Sequence, residues 1–453
     1  MKKYVFMMVI CSSMVVCMGC APAVTTNSGP SVPAPGTLDA SFGSGGIVIT
    51  DYVYESSSDP GNFYSAYNEI NAIALQSDGK IVVAGYADIS GDRGEDFAIA
   101  RYNPNGTLDT TFGTGGFVLT DFGDTNDQAT AIAIQADGKI VVAGIADRTG
   151  NKKFALARYN NTGTPDTSFG TNGKVTTDVS SENNSGYATA MVIQSDGKIL
   201  VAGYADIGGK SQFVVVRYTS NGTLDDTFDG DTGTGNGIVT TAFTDNAYAN
   251  ALALDSSGKI LVAGYTDTKF ALARYQADGN LDTSFDTDGK VETVFGGNAA
   301  SAYAIAVQND GKIMLGGSSN NSSSPGASYF ALARYNSNGA LDTSFGNAGQ
   351  VETYMGLVGT ANLCAMKIQN DGKIVTAGSC QKDSKENFAF VRYTLSGILD
   401  TSFGTDGKVL TSSGSKSWLN SLLIQSDGKI VGGGLNEETE TGTTNFALLR
   451  LWP

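Results

Sequence analysis

The seven residues Asp225-Asp226-Thr227-Phe228-Asp229-Gly230-Asp231 carry four carboxylates, with Asp229-x-Asp231 spacing and glycines around them. Hard cations are held by clustered oxygens on flexible loops, so Asp225, Asp226, Asp229 and Asp231 form a candidate calcium site. The third acid and the distal Glu of an EF-hand loop are absent, and a solvated acidic turn is the competing reading. A second constellation is aromatic. Residues 51–70 place Tyr52, Tyr54, Phe63, Tyr64 and Tyr67 beside Asp51, Glu55 and Asp59. Rings stack on apolar faces and polar groups read hydroxyls, so this segment suits recognition of a glycan or peptide. The alternative is that the tyrosines only pack an oversized loop.

The chain has no histidine. That removes Ser-His-Asp and Cys-His catalysis, His-ligated zinc and His proton switching together. Cys364 and Cys380 flank the Asp371-Gly372 turn almost symmetrically. They are expected to lie close in space, as a disulfide in an exported protein or as two free thiols. No nucleophile motif and no isolated carboxylate pair stands out, so the expectation is a protein that is not an enzyme. Acid–base chemistry by Asp, Glu or Tyr, as in a glycoside hydrolase or polysaccharide lyase, needs no His and is the alternative. Two carboxyls roughly 5–10 Å apart in a pocket would favour that alternative. A flat aromatic surface would favour binding. The net charge of −16 makes nucleic acid an unsuitable partner.

Lys2 and Lys3 precede an apolar run, Tyr4 to Met18, that is too short to span a bilayer and has the shape of a signal peptide. Its end, Val16-Cys17-Met18-Gly19-Cys20, resembles the lipobox of bacterial lipoproteins, in which the last Cys carries the lipid. Cys17 stands where that pattern has Leu. The resemblance implies a signal peptide over 1–19 and lipidation at Cys20. Ala21 after the Cys resembles an outer-membrane sorting signal, so an outer-membrane or cell-surface address is expected. An ordinary secretory signal is the alternative. Residues 20–36 hold four of the nine prolines and no charge, which reads as an extended tether.

The candidate groups on the body of the protein must be positioned by a repeated framework, since from residue 37 onward the chain is periodic. Phe-Ala-x-x-Arg and its variants place arginines at 101, 158, 217, 274, 334, 392 and 450. Leu-Asp-x-Ser/Thr-Phe and Asp/Ser-Gly-Lys-Ile return with the same period. Residues 37–453 are therefore seven units of about 60 residues each. Each unit reads as four short strands, with Asp-Gly as the tight turn between the first two. Seven such units predict an all-β, seven-bladed propeller, with a long solenoid as the alternative. The body starts with a lone fourth-type strand near 46–50 and ends on a third-type strand. The N-terminal strand is thus expected to complete the last blade and close the ring.

The segments GTLDTTFGTGG (106–116), QADGKIVVAG (135–144) and FALARYN (154–160) resemble the delta-60 repeat of bacterial exported proteins. The strand order is more weakly similar to NHL-type propellers. The resemblance implies an exported propeller and little about activity. The sevenfold residues are expected to be scaffold, with each Arg paired to the Asp that comes after it or that Asp capping its own turn. Strand alternation sends the uniform loops to one face of the ring and the variable loops to the other. The expected function is that of a lipid-anchored binding or scaffolding propeller. Its variable face would meet a glycan, peptide or surface protein. A purely structural envelope role is a further alternative.

Overall fold

A computed structural model describes residues 33–55, 63–65, 67–88, 94–123, 126–148, 150–180, 185–230, 235–296, 299–320, 327–355, 359–438 and 442–453. The propeller unit, Ala34–Pro453, is all β. Seven four-stranded antiparallel sheets form its blades. In blade one the strands are Tyr67–Leu75, Ile81–Asp88, Glu95–Tyr102 and Phe117–Thr120, from the inner strand to the outer. The ring closes as the sequence predicts. Ile47–Thr50 pairs antiparallel with Thr444–Leu451, Ile47 opposite Leu449 and Thr50 opposite Phe446, and completes blade seven. A further hairpin, Val53–Glu55 with Phe63–Ser65, precedes blade one.

Second and third strands are almost wholly buried, and their side chains pack between neighbouring blades. Each inner strand carries one bulge, at Asn71, Thr130, Thr189, Asn250, Tyr303, Cys364 and Asn420 in turn. The glycine in the opposite strand makes room for that bulge. A Cβ on Gly85 would lie 1.7 Å from the Glu69 carbonyl oxygen, and one on Gly434 would lie 1.8 Å from that of Trp418. An isolated Gly inside a strand signals such a close approach. Five of the bulge side chains then reach the next blade. Asn71, Thr130, Thr189, Asn250 and Asn420 donate to Ala129, Ala188, Ala249, Ala302 and Ile70 carbonyls at 2.9–3.0 Å.

The blades are joined at the uniform face by a sevenfold ionic cluster. Each repeat Asp accepts at Oδ2 from the Arg Nε at 2.7–2.8 Å. The same oxygen meets the hairpin Lys at 2.7–3.2 Å. Oδ1 accepts from the backbone N–H and hydroxyl of the Ser or Thr two residues on, as at Asp109 and Thr111. Pairing and turn-capping, the two expected alternatives, are therefore both made by one carboxylate. Every guanidinium lies 4.3–4.6 Å from the ring of a Phe. In six repeats its Nη1 also donates to a carbonyl of the next blade, as Arg101 does to Asn161. A buried charge is tolerable only when it is paired and hydrogen-bonded in this way.

Candidate functional site

The variable loops enter the inner strands and leave the second strands at one end of the ring, so residues just before each bulge lie near that face. There the repeat stops being uniform. The second residue before the bulge and its cross-strand partner are Glu69/Tyr86, Gln128/Ile145, Tyr187/Tyr204, Tyr248/Tyr265, Ser301/Ser318, Asn362/Ser379 and Trp418/Leu435. Identical backbone positions thus carry a different side-chain pair in each blade. A fixed frame with varied contents is the arrangement that a recognition site requires.

Blades three to five hold a continuous row of tyrosines. Tyr187 stacks on Tyr204 with centroids 4.8 Å apart. Tyr204 meets Tyr248 edge-on at 5.1 Å, Tyr248 stacks on Tyr265 at 5.0 Å, and Tyr265 reaches Tyr303 at 6.1 Å. The rings are half-buried, except Tyr303, which is 38% exposed. Burial, reinforced by the neighbouring phenols, pushes Tyr204 and Tyr265 up to about 12, so both keep their hydroxyl protons at neutral pH. The Lys152 ammonium lies 5.0 Å from the Tyr187 ring centre. The outcome is an amphipathic strip, with apolar ring surface beside neutral hydroxyl donors.

Blades one and two present acids instead. Glu69 accepts from the Tyr86 hydroxyl at 2.7 Å and from the Asn420 amide at 2.7 Å. Glu95 accepts from the Gln128 amide. Burial, with the Asp88 and Glu69 charges behind it, raises the Glu95 carboxyl despite that bond. Nearby, oxygens of Asp96, Asp121 and Asp127 lie within 4.8 Å of one another, the one such group among the described residues. Phe122 N–H donates to Asp127 Oδ2 at 2.7 Å. An all-oxygen set suits a hard cation.

In the Asp225–Asp231 segment, the first carboxylate belongs to the scaffold. Asp225 is the repeat carboxylate of blade three. It is committed to Arg217 Nε at 2.7 Å, Lys198 Nζ at 2.8 Å and the Thr227 hydroxyl at 2.7 Å. Its lone pairs are taken up by the scaffold. Asp226 is exposed and Asp229 half-buried, while Asp231 lies outside the described residues. Of the two alternatives for the cysteines, the structure has the free thiols. Cys364 and Cys380 are both free thiols, because Cys364 occupies the bulge and Cys380 pairs with Ala361, three residues away.

The aromatic expectation divides. Tyr52 packs edge-on against Phe117 at 4.8 Å and belongs to the core between blades seven and one, which is the packing alternative. Tyr67 is 51% exposed at the start of its inner strand. Asp59, the side chains of Tyr54, Phe63 and Tyr64, and Cys20 lie outside the described residues. The five-tyrosine row was missed from sequence because its members are spread over 117 residues, from Tyr187 to Tyr303. The available signal was their repeat phase: Tyr187 and Tyr248 precede the bulge, and Tyr204 and Tyr265 come directly after the Gly of the second strand.

A family model described as a domain of unknown function (DUF5122) β-propeller matches residues 76–112, 135–169, 194–228, 256–285, 308–345 and 369–403. Every match ends on the Phe against which a repeat Arg packs, so it reports the scaffold. No curated protein matches the sequence. Among solved structures, similarity extends to virginiamycin B lyase from Staphylococcus aureus, with 11% identity, TM-score 0.48, 89% of this chain and 99% of that one. It extends also to the Dos1 propeller, with 11% identity, TM-score 0.47 and coverages of 88% and 81%. Polysaccharide lyase Uly1 is similar at 11% identity, TM-score 0.46 and coverages of 89% and 98%. Six family matches and seven closed four-stranded blades make this chain a β-propeller repeat protein.

Proposed function

We propose that this protein is a lipid-anchored, surface-exposed binding propeller that recognises a glycan or peptide on its variable-loop face. The tyrosine row of blades three to five carries the reading. Half-buried rings held by the inner and second strands lose little entropy on binding and offer apolar surface beside hydroxyl donors.

The full chain, screened against glycan and surface-peptide arrays, is expected to bind a restricted ligand set. Tyr204→Ala and Tyr265→Ala are each expected to weaken binding by about 10- to 100-fold, the effect of truncating a central aromatic anchor. Retained affinity in both variants, with unchanged melting, would move the site elsewhere. The address is tested separately: Cys20→Ser is expected to shift the protein from the membrane fraction to the soluble one. Persistent membrane association of that variant would overturn the lipid anchor.

A further inference from the structure

The chain enters the propeller on its uniform face, in the loop between the third and fourth strands of blade seven. Gly36 N–H donates to the Trp452 carbonyl at 2.9 Å, and Trp452 N–H donates to that of Thr37 at 2.9 Å. Gly404 N–H of blade six donates to the Pro35 carbonyl at 3.0 Å. These are the bonds that the intact loops make, as from Gly397 to Thr394 and from Thr394 to Ile398 in blade six, so the entry point is fixed. Residues 20–32, which lie outside the described residues, reach about 40 Å when extended. A leash of that length leaves either face free to meet a bilayer, so the surface beside the entry decides between them.

That surface is apolar. Leu395 and Ile398, in the neighbouring loop of blade six, are 52% and 65% exposed, more than any other large hydrophobic side chain among the described residues. The backbone of their loop is committed to the scaffold, since the Leu395 carbonyl accepts from Arg334 Nη1 at 2.5 Å and the Ile398 carbonyl from Thr394 N–H at 2.8 Å. The fold does not need the two side chains. Ser220 and Thr223 take their places in blade three, Ser337 and Ala340 in blade five, and no other intact loop has Leu or Ile at either position. In the entry loop Trp452 is half-buried, with the Lys429 ammonium 4.5 Å from its ring centre. An indole beside exposed aliphatic chains suits the headgroup level of a bilayer. Charge sets this sector apart as well. Beyond the repeat carboxylate, the third–fourth loops of blades three and four expose Asp226, Asp278, Asp286 and Asp288, whereas that of blade six adds only Asp406 and that of blade seven none. Blades three and four stand across the ring from blades six and seven. For a chain of net charge −16, the sector poorest in acids approaches a bilayer at the least electrostatic cost.

We propose that the uniform-loop sector of blades six and seven is a membrane-docking surface, with Leu395 and Ile398 seated among the lipid headgroups and the tyrosine row turned away from them. This rests on the lipid-anchor reading, because the tether brings the sector to the bilayer. The chain holds two tryptophans, Trp452 on the uniform face and Trp418 at the variable face, so its own residues report the orientation. The full lipidated chain would be reconstituted into phosphatidylcholine vesicles with a dansyl label on the headgroups, as Trp418→Phe and Trp452→Phe variants. Energy transfer from Trp452 is expected to be at least threefold that from Trp418. Leu395→Ser with Ile398→Thr, the residues that blade three carries at these places, is expected to remove that preference while the protein still floats with the vesicles. Failure of the parent to float would overturn the anchor, and the docking with it. Flotation with equal transfer from both tryptophans, or with stronger transfer from Trp418, would overturn the docking alone. A preference that survives the double variant would overturn it too.

Discussion

Deleting residues 46–50 is expected to release the outer edge of blade seven and lower the melting temperature by roughly 10 °C. The losses are specific. Ile47, Val48, Ile49 and Thr50 leave their partners Leu449, Leu448, Ala447 and Phe446, at about 1 kcal/mol per net hydrogen bond. The Arg450 N–H loses the Gly46 carbonyl at 2.9 Å, and the Tyr102 hydroxyl loses Thr50 Oγ1 at 2.9 Å. Val48 and Ile47 also leave the cores on either side of the blade. Together these cost on the order of 5 kcal/mol. The third strand, Thr444–Leu451, would then present an unpaired edge, and association that grows with concentration is the expected companion. Calorimetry reads both effects. An unchanged melt would mean that this strand does not close the ring.

The second large effect is expected at the ionic cluster. Asp282 is 2% exposed and accepts from Arg274 Nε at 2.8 Å, Lys259 Nζ at 2.7 Å and the Ser284 hydroxyl at 2.6 Å. Asp282→Ala strands the Arg274 guanidinium against Phe285 without its counter-ion, at a cost of about 3–5 kcal/mol. Asp226→Ala, on the exposed carboxylate of the acidic segment, is expected to stay within about 0.5 kcal/mol of the parent. Denaturant melts at neutral pH separate the two, and equal effects would refute the assignment of Asp282 to the scaffold.

The cluster also sets the acid limit. Burial by itself would raise these carboxyls. Hydrogen bonds from Ser41 and Lys429, with the Arg450 charge, outweigh it and hold Asp39 at about 2. Ser402, Lys373 and Arg392 do the same for Asp400, also at about 2, and the other five repeat carboxylates are likewise lowered. A depressed folded-state value means that the stabilisation is complete above the unfolded value near 4. It is lost as pH falls from there towards 2. The parent is therefore expected to lose stability steeply over that window, and Asp282→Ala less steeply. A flat profile between pH 4 and pH 2 would contradict the pairing.

Much of this molecule was legible one repeat at a time. Asp137-Gly138 marks a hairpin because Gly138 can take φ of +82°, and the alternating apolar runs beside it can only be strands. The eight-residue interval from Arg158 to Asp166 is long enough for the loop to return the carboxylate to the guanidinium, and the pair forms at 2.8 Å. Repeat phase also predicts closure, because the repeated body opens with the strand type that its last unit lacks. These conclusions hold because turn chemistry, strand period and the pairing of a buried charge are local in sequence, and the ring repeats them seven times.

Other features depend on distance across the ring. Counted from the Ile368–Ile374 pair at the turn, Cys364 is already two residues out of register with Cys380, and the bulge adds a third, so near-symmetry about the turn does not bring the pair together. The Asp225 carboxylate is one of four in its segment, yet Arg217 and Lys198 claim it from strands that precede it in the chain. Tyr187 and Tyr303 belong to one surface only after blades three, four and five are set side by side. Sequence by itself determined the repeat, the strands, the closure and the scaffold ion pairs, since each is specified within one unit or by the phase of its ends. Tertiary structure alone decided which of the varied residues share a surface or a cavity, because those neighbours come from different blades and meet only through the curvature of the closed ring.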